Sequence, residues 1–462
     1  MAAVNDTYRI LFDSMLSQFI DINQIYKFDY INFVNTILYL QSTSYVFLQC
    51  SFHNSQIYIK GTNTTTIVFS YTEWTGGHNL SIIIKECRAL YFSNSKFLDM
   101  DCLKDQVFSL QNNKQVHIKS CLFRNTSNCV MLVEHSVFII FNNTTIKDIT
   151  IAEPCQAANK SLFLAVKSKL LTIANSYFTE IYFPMMKFSG IEETLLFNTT
   201  FVHCICPLKI SISPNKLNTN FLLSGSRFMS CLCSSSGGAL QLMLVNGRRS
   251  TKSVVFYDDV HSIIQLSIII KHSVFYRCHS KLTGGAVAIE LSHLMDQKKL
   301  NASMFINSCL FYNNTSDRQG GGAYISQITG EYHSSESTVI SRTSFMNNVG
   351  GSGGAVSIMH GNTIQNRHAA VQFINQCKCF IMKSSFKQNG AKHKDGGAIW
   401  CIGTRNAFGL YKSESIFIYR TTFRDNFASD RGGAVIISKK QAVFIQQTMF
   451  LFNKVLNFGW LK

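Results

Sequence analysis

Apolar and polar residues alternate in short runs along most of this chain. Val287, Ile289 and Leu291 share one apolar face, and Glu290 between them points the other way. Val356 with Ile358, Ile399 with Cys401, and Val435 with Ile437 repeat the arrangement. A period of two belongs to half-buried strands, not helices. It predicts further strands over residues 45–52, 57–59, 66–69 and 415–423. Residues 1–33 are mixed. There Phe12, Met15, Leu16 and Phe19 fall at helical spacing, which reads either as a short cap over a first coil or as the front of a truncated coil.

The alternating runs are punctuated at regular intervals. Glycine pairs followed by alanine stand at Gly237-Gly238, Gly284-Gly285, Gly321-Gly322, Gly353-Gly354, Gly396-Gly397 and Gly432-Gly433. Upstream of each is a Phe with Cys or Asn at the third position. These pairs are Phe228/Cys231, Phe275/Cys278, Phe311/Asn314, Phe345/Asn348, Phe386/Asn389 and Phe423/Asn426. Phe450/Asn453 follows without its glycines. Recurrence every few tens of residues marks a solenoid. The Asn is expected to turn the chain in the left-handed conformation, and the glycines to supply a second corner by positive φ or close backbone approach. Stacked coils would place Phe on Phe and Asn on Asn. The expected fold is all-β, a parallel β-helix. Residues 34–227 would form degenerate coils and 228–462 regular ones. A β-sandwich with repetitive turns is the alternative, but it gives no reason to reuse one corner six times.

Composition agrees with a long strand-rich core: 46% of the 462 residues are hydrophobic, with 37 Phe and only 4 Pro. No apolar run reaches the ~18 residues of a membrane helix. The net charge of +17 has two readings, a solvated surface or attraction to polyanions. Insertions over residues 244–261, 292–300 and 328–337 are expected to form one functional face. Candidate polyanion contacts there and at a later corner are Arg248, Arg249, Lys252, Lys298, Lys299, Lys392 and Lys394. The expected partners are glycans or anionic cell-surface polymers. Nucleic acid is not expected, because no binding motif for it is present.

The 15 cysteines include two Cys-x-Cys pairs, Cys204/Cys206 and Cys231/Cys233, at matching places in successive repeats. Stacking would bring Cys204 over Cys231 and Cys206 over Cys233. They would form cross-coil disulfides in a secreted protein, or buried thiols. The spacing departs from zinc knuckles, so neither metal nor cofactor is expected. A glycan-cleaving enzyme would need paired carboxylates at a defined separation. Asp99, Asp101, Asp258 and Asp259 are the weak candidates, and adjacency in sequence more often means solvated loop acids. Sequons begin at Asn63, Asn125, Asn143, Asn198 and Asn314, among others. With no signal peptide at the start, they fit a piece of a longer extracellular or cell-surface chain, whose absent parts would provide any membrane attachment.

The combination of Gly-Gly-Ala-(Ile/Val/Leu) with Phe-x-x-Asn resembles the polymorphic outer-membrane protein repeat of bacterial adhesins and related animal β-helix proteins. The resemblance is strong over residues 228–453. It implies a right-handed β-helix, in keeping with the bias of parallel crossovers, serving as an extracellular adhesive stalk with no catalytic residues in the repeat. The polysaccharide lyases and hydrolases that share this scaffold are the alternative.

Overall fold

The computed structural model describes residues 9–11, 25–41, 43–76, 80–100, 108–127, 131–150, 163–182, 186–212, 218–244, 263–291, 299–327, 335–360, 376–392, 396–403, 415–438 and 442–455. The helical spacing at Phe12 to Phe19 lies outside them. All described strands pair in parallel, and no helix occurs among the described residues. The chain forms two compact units, Met1–Cys204 and Ile205–Lys462, each a right-handed parallel β-helix. Each coil of the first unit contributes one strand to each of three sheets, A, B and C. For example, Gln56–Lys60 lies in sheet A, Thr66–Ser70 in B and Glu73–Thr75 in C. The second unit adds a two-residue strand in a fourth sheet, D, as in Val356–His360 (A), Gln376–Met382 (B), Ser385–Lys387 (C) and Gly390–Ala391 (D).

The alternating pattern builds the core directly, because inward residues of one coil sit over their equivalents in the next. In sheet C of the second unit, Phe228, Phe275, Phe311, Phe345, Phe386, Phe423 and Phe450 are in register. Their rings stack at centroid distances of 4.6 Å from Phe311 to Phe345 and 5.0 Å from Phe345 to Phe386. Burial contributes about 1.5–3 kcal/mol per ring, and stacking about 0.5–1.5 kcal/mol more. The first unit uses two such columns. Phe33, Phe52, Trp74, Phe97 and Phe123 stack in sheet C, and Phe28, Phe47, Phe69 and Phe92 in sheet B. Phe178 and Phe201 continue the first column after Ile146.

The turns differ from expectation in three ways. First, residues 415–423 are not one strand. Ser415–Tyr419 and Thr422–Arg424 are separated by a corner at Arg420 and Thr421, so a coil has more corners than the two the motif suggests. Second, the left-handed residue is the one before the repeated Asn: Asn313, Asn347, Gln388 and Asp425 have φ of 54–56°. The repeated Asn points inward instead. Asn314, Asn348, Asn389 and Asn426 are fully buried, and each Nδ2 donates to the Oδ1 of the next Asn at 2.8–3.0 Å, ending at Asn453. Third, the repeat at Gly321-Gly322-Ala323 is displaced by one residue. Gly320 takes the positive-φ place and Gly321 the close-approach place. Gly322 stands where the other repeats have alanine, so Ala323 pairs with Val287.

Another ladder occupies the corner between sheets B and C. It is two residues long, a left-handed residue followed by Ser, Thr or Cys, as in Asn94-Ser95, Ser120-Cys121, Asn198-Thr199, Ser308-Cys309 and Arg342-Thr343. Ser95, Thr199 and Thr343 each donate to a carbonyl of their own coil and to one of the preceding coil. Cys121 and Cys309 make the same two contacts through sulfur, at 3.3–3.6 Å. These thiols are hydroxyl surrogates in a buried corner. Burial pushes both up from 9.0 to about 11, and Cys87 and Cys379 to about 12. In the native protein, iodoacetamide at pH 8 is therefore expected to leave these four unmodified, and to label them once denaturant is added, as mass mapping would read. The unfolded chain loses thiol protons near pH 9 that the native chain keeps until about 11. The stability they contribute is complete below pH 9 and falls as the pH rises through that window. Native labelling as fast as in denaturant would contradict the burial of these thiols.

Candidate functional site

Asp101, Asp258, Asp259, Arg248, Arg249, Lys252, Lys298 and Lys394 fall outside the described residues. Asp99 is an exposed left-handed corner residue (φ 50°) whose Oδ1 accepts a hydrogen bond from Asn125 Nδ2 at 2.7 Å. That contact ties together successive coils at the corner that follows sheet C. Lys299 opens a strand of sheet B opposite Ile263, and Lys392 is exposed just after a strand of sheet D. No cluster of His, Cys, Asp or Glu able to hold a metal occurs among the described residues.

The two Cys-x-Cys pairs behave differently. Cys206 and Cys233 form a disulfide within the second unit. Cys204 and Cys231 are buried thiols that hydrogen-bond to backbone carbonyls.

A shaped site does occur on the outer face of sheet A in the first unit. Strands Ile37–Gln41, Gln56–Lys60 and Ser81–Lys85 lie side by side there in strict register. Their inward residues Leu38, Leu40, Ile57, Ile59, Ile82 and Ile84 are buried in the coil. The alternation therefore throws Tyr39, Tyr58 and Ile83 outward as one row, with Gln41, Lys60 and Lys85 as the next. Tyr39 and Tyr58 stack face to face at 4.9 Å with 10° between their planes. Together these residues line a cavity of about 350 Å³.

The polar groups of this cavity are held in place from the sheet. The Tyr58 hydroxyl donates to Gln56 Oε1 at 3.0 Å. Burial raises the Tyr58 phenol above its ordinary range, and the neighbouring Tyr39 adds to this, while a hydrogen bond with Ser81 acts against it. The phenol thus stays neutral, with its hydrogen held by Gln56, and presents a ring rather than a charge. Register places Lys60 and Lys85 on adjacent strands, so two ammonium groups edge the aromatic platform. Chemically, the cleft offers the outward edges of two stacked rings for the C–H side of a sugar, an amide, and two cations for a carboxylate. The tyrosines escaped the sequence reading because Tyr39 and Tyr58 are separated by a whole coil. The only signal was an aromatic at the polar phase of two successive alternating runs.

Compared with protein-family models, curated proteins and solved structures, the chain matches none.

Proposed function

We propose that this chain is a non-catalytic, extracellular β-helix module that adheres to glycans through the outer faces of its sheets. The observation that carries this reading is the stacked Tyr39–Tyr58 platform edged by Lys60 and Lys85. Rings fixed in parallel on a rigid sheet bind saccharides with little ordering cost, and two lysines favour a uronate over a neutral sugar. The Cys206–Cys233 disulfide suits an oxidising compartment. The exposed sequon residues Asn63, Asn125, Asn143 and Asn198 suit it too, whereas Asn314 is sealed inside the Asn ladder and closed to glycosylation in the folded state. The likeness of the repeat to that of polymorphic outer-membrane adhesins points the same way.

Calorimetric titration with uronate-containing and neutral oligosaccharides tests the reading. The uronate series should bind, and Tyr39→Ala with Tyr58→Ala should weaken it at least tenfold. Lys85→Ala should narrow the preference for acidic over neutral chains. Affinity unchanged by the tyrosine pair would remove the cleft from consideration. Shortening of the oligosaccharides would reinstate an enzyme.

A further inference from the structure

The outer face of sheet C in the second unit carries an ordered charge pattern that the cleft does not explain. Strands Ser344–Met346, Ser385–Lys387 and Thr422–Arg424 pair in register, setting Ser344, Ser385 and Thr422 in one outward row. Corners of two residues border these strands on both sides, and each corner begins with a left-handed residue. On the sheet B side those residues are Arg342, Lys383 and Arg420, with φ of 48–50°. All three are exposed. Their backbones are locked coil to coil: Arg342 N–H donates to Met382 O, Lys383 N–H to Tyr419 O, and Arg420 N–H to Gln446 O. Across the hydroxyl row, Lys387 and Arg424 are in register and form a second, shorter cationic column.

We infer that this face is a binding surface for a linear sulfated polysaccharide running along the coil axis. The cations repeat at the strand spacing of roughly 4.8 Å, so a chain with regularly placed anions can engage several at once. Arginine forks match the oxyanions of a sulfate ester, and the serine and threonine hydroxyls between the columns can donate to ring and ester oxygens. Asp425 is the one carboxylate in the corner column across the sheet, and Arg424 holds it at 3.1 Å. Arg420 is steadied over the Tyr419 ring at 5.0 Å, and its Nε donates to Gln447 Oε1 at 2.7 Å. That ring lies beneath a guanidinium, and none stands between the cationic columns. The stacking platforms on which single-stranded nucleic acids lay their bases are thus missing from the strip. Its two-row, axial layout fits a narrow polymer better than a membrane plane. Ligand, unit and residues all differ from those of the tyrosine cleft, so either site can fail without the other.

The test is elution from immobilised heparin together with titration in solution. Arg342→Ala, Lys383→Ala and Arg420→Ala combined should lower the eluting salt concentration and weaken binding at least tenfold. Lys96→Ala, Lys119→Ala and Lys169→Ala combined remove the same charge from exposed sites in the first unit and should change binding less than twofold. Desulfated heparin should bind at least tenfold more weakly than heparin. Equal loss in the two triple variants would reduce the effect to net charge and overturn the proposal. Equal binding of the desulfated chain would also overturn it, as would tighter capture of single-stranded DNA or of phosphatidylserine vesicles by the same residues. Should the triple variant lose its cooperative melt, Lys383→Glu alone carries the same expectation, because its side chain is exposed.

Discussion

Gly354→Ala is expected to disrupt the coils around it, at a cost of more than about 4–5 kcal/mol, a range few single substitutions reach. A Cβ at Gly354 would lie 2.3 Å from Gly397 O, 2.4 Å from Gly390 N and 2.5 Å from Gly390 O. All three are backbone atoms of the next coil, and one is committed to an inter-coil hydrogen bond: Gly390 N–H donates to Asn348 O. No rotamer change relieves such a contact, so either the coil spacing opens or the ladder breaks. Gly190→Ala in the first unit is the comparison. Its φ is +66°, but the nearest atoms to an added Cβ are at 3.7 Å. Only the left-handed penalty of about 1–2 kcal/mol should appear there. Urea denaturation of both variants checks the contrast, and equal losses would mean that the close approach at 354 is relieved by small shifts of the next coil.

Asn389→Leu should cost about 2–6 kcal/mol, from two buried donors at roughly 1–3 kcal/mol each. Asn389 Oδ1 accepts from both the backbone N–H and the Nδ2 of Asn348, at 3.0 Å each. Its own Nδ2 donates to Phe345 O at 3.0 Å and to Asn426 Oδ1 at 2.9 Å. Leucine is close in volume, so the site stays filled. What is left is two Asn348 donors with neither partner nor water, whereas the Phe345 carbonyl stays in the strand ladder with Ser385–Lys387. The adjacent Gln388 is exposed and left-handed at φ 54°. Gln388→Asn should stay within about 0.5 kcal/mol, since Asn tolerates that conformation. Chemical denaturation reads both, and a small loss at 389 would mean that the ladder is not satisfied through its side chains.

These two positions show how far motif reading reached. The Phe-x-x-Asn spacing pointed to stacking, and stacking is what the structure has. The role of the Asn was misread, however. Asn is the residue that most readily adopts positive φ apart from glycine, so propensity placed it in the turn. In fact, even Arg277 and Gln388 take the turn, and Asn is needed one place later for its amide. A local preference was overridden by a hydrogen-bond demand that exists only once coils are stacked. The Ser/Thr/Cys corner went unseen for the same reason. Three residue types share the position because each offers one short donor, and no composition rule groups them.

The chain's own pattern determined that strands are short, parallel and stacked, since alternation sets which residues face inward and the recurring Phe and Gly-Gly set one coil over the next. Tertiary structure alone decided which outward residues become neighbours. Tyr39 meets Tyr58, and Arg342, Lys383 and Arg420 form a column, across gaps of 19 to 41 residues that vary from coil to coil. Cys206 joins Cys233, while Cys204 and Cys231 keep their thiols. Connections of unequal length between equivalent strands erase lateral register from the linear sequence, and only inter-coil hydrogen bonding, which fixes each strand against the one beneath it, restores it.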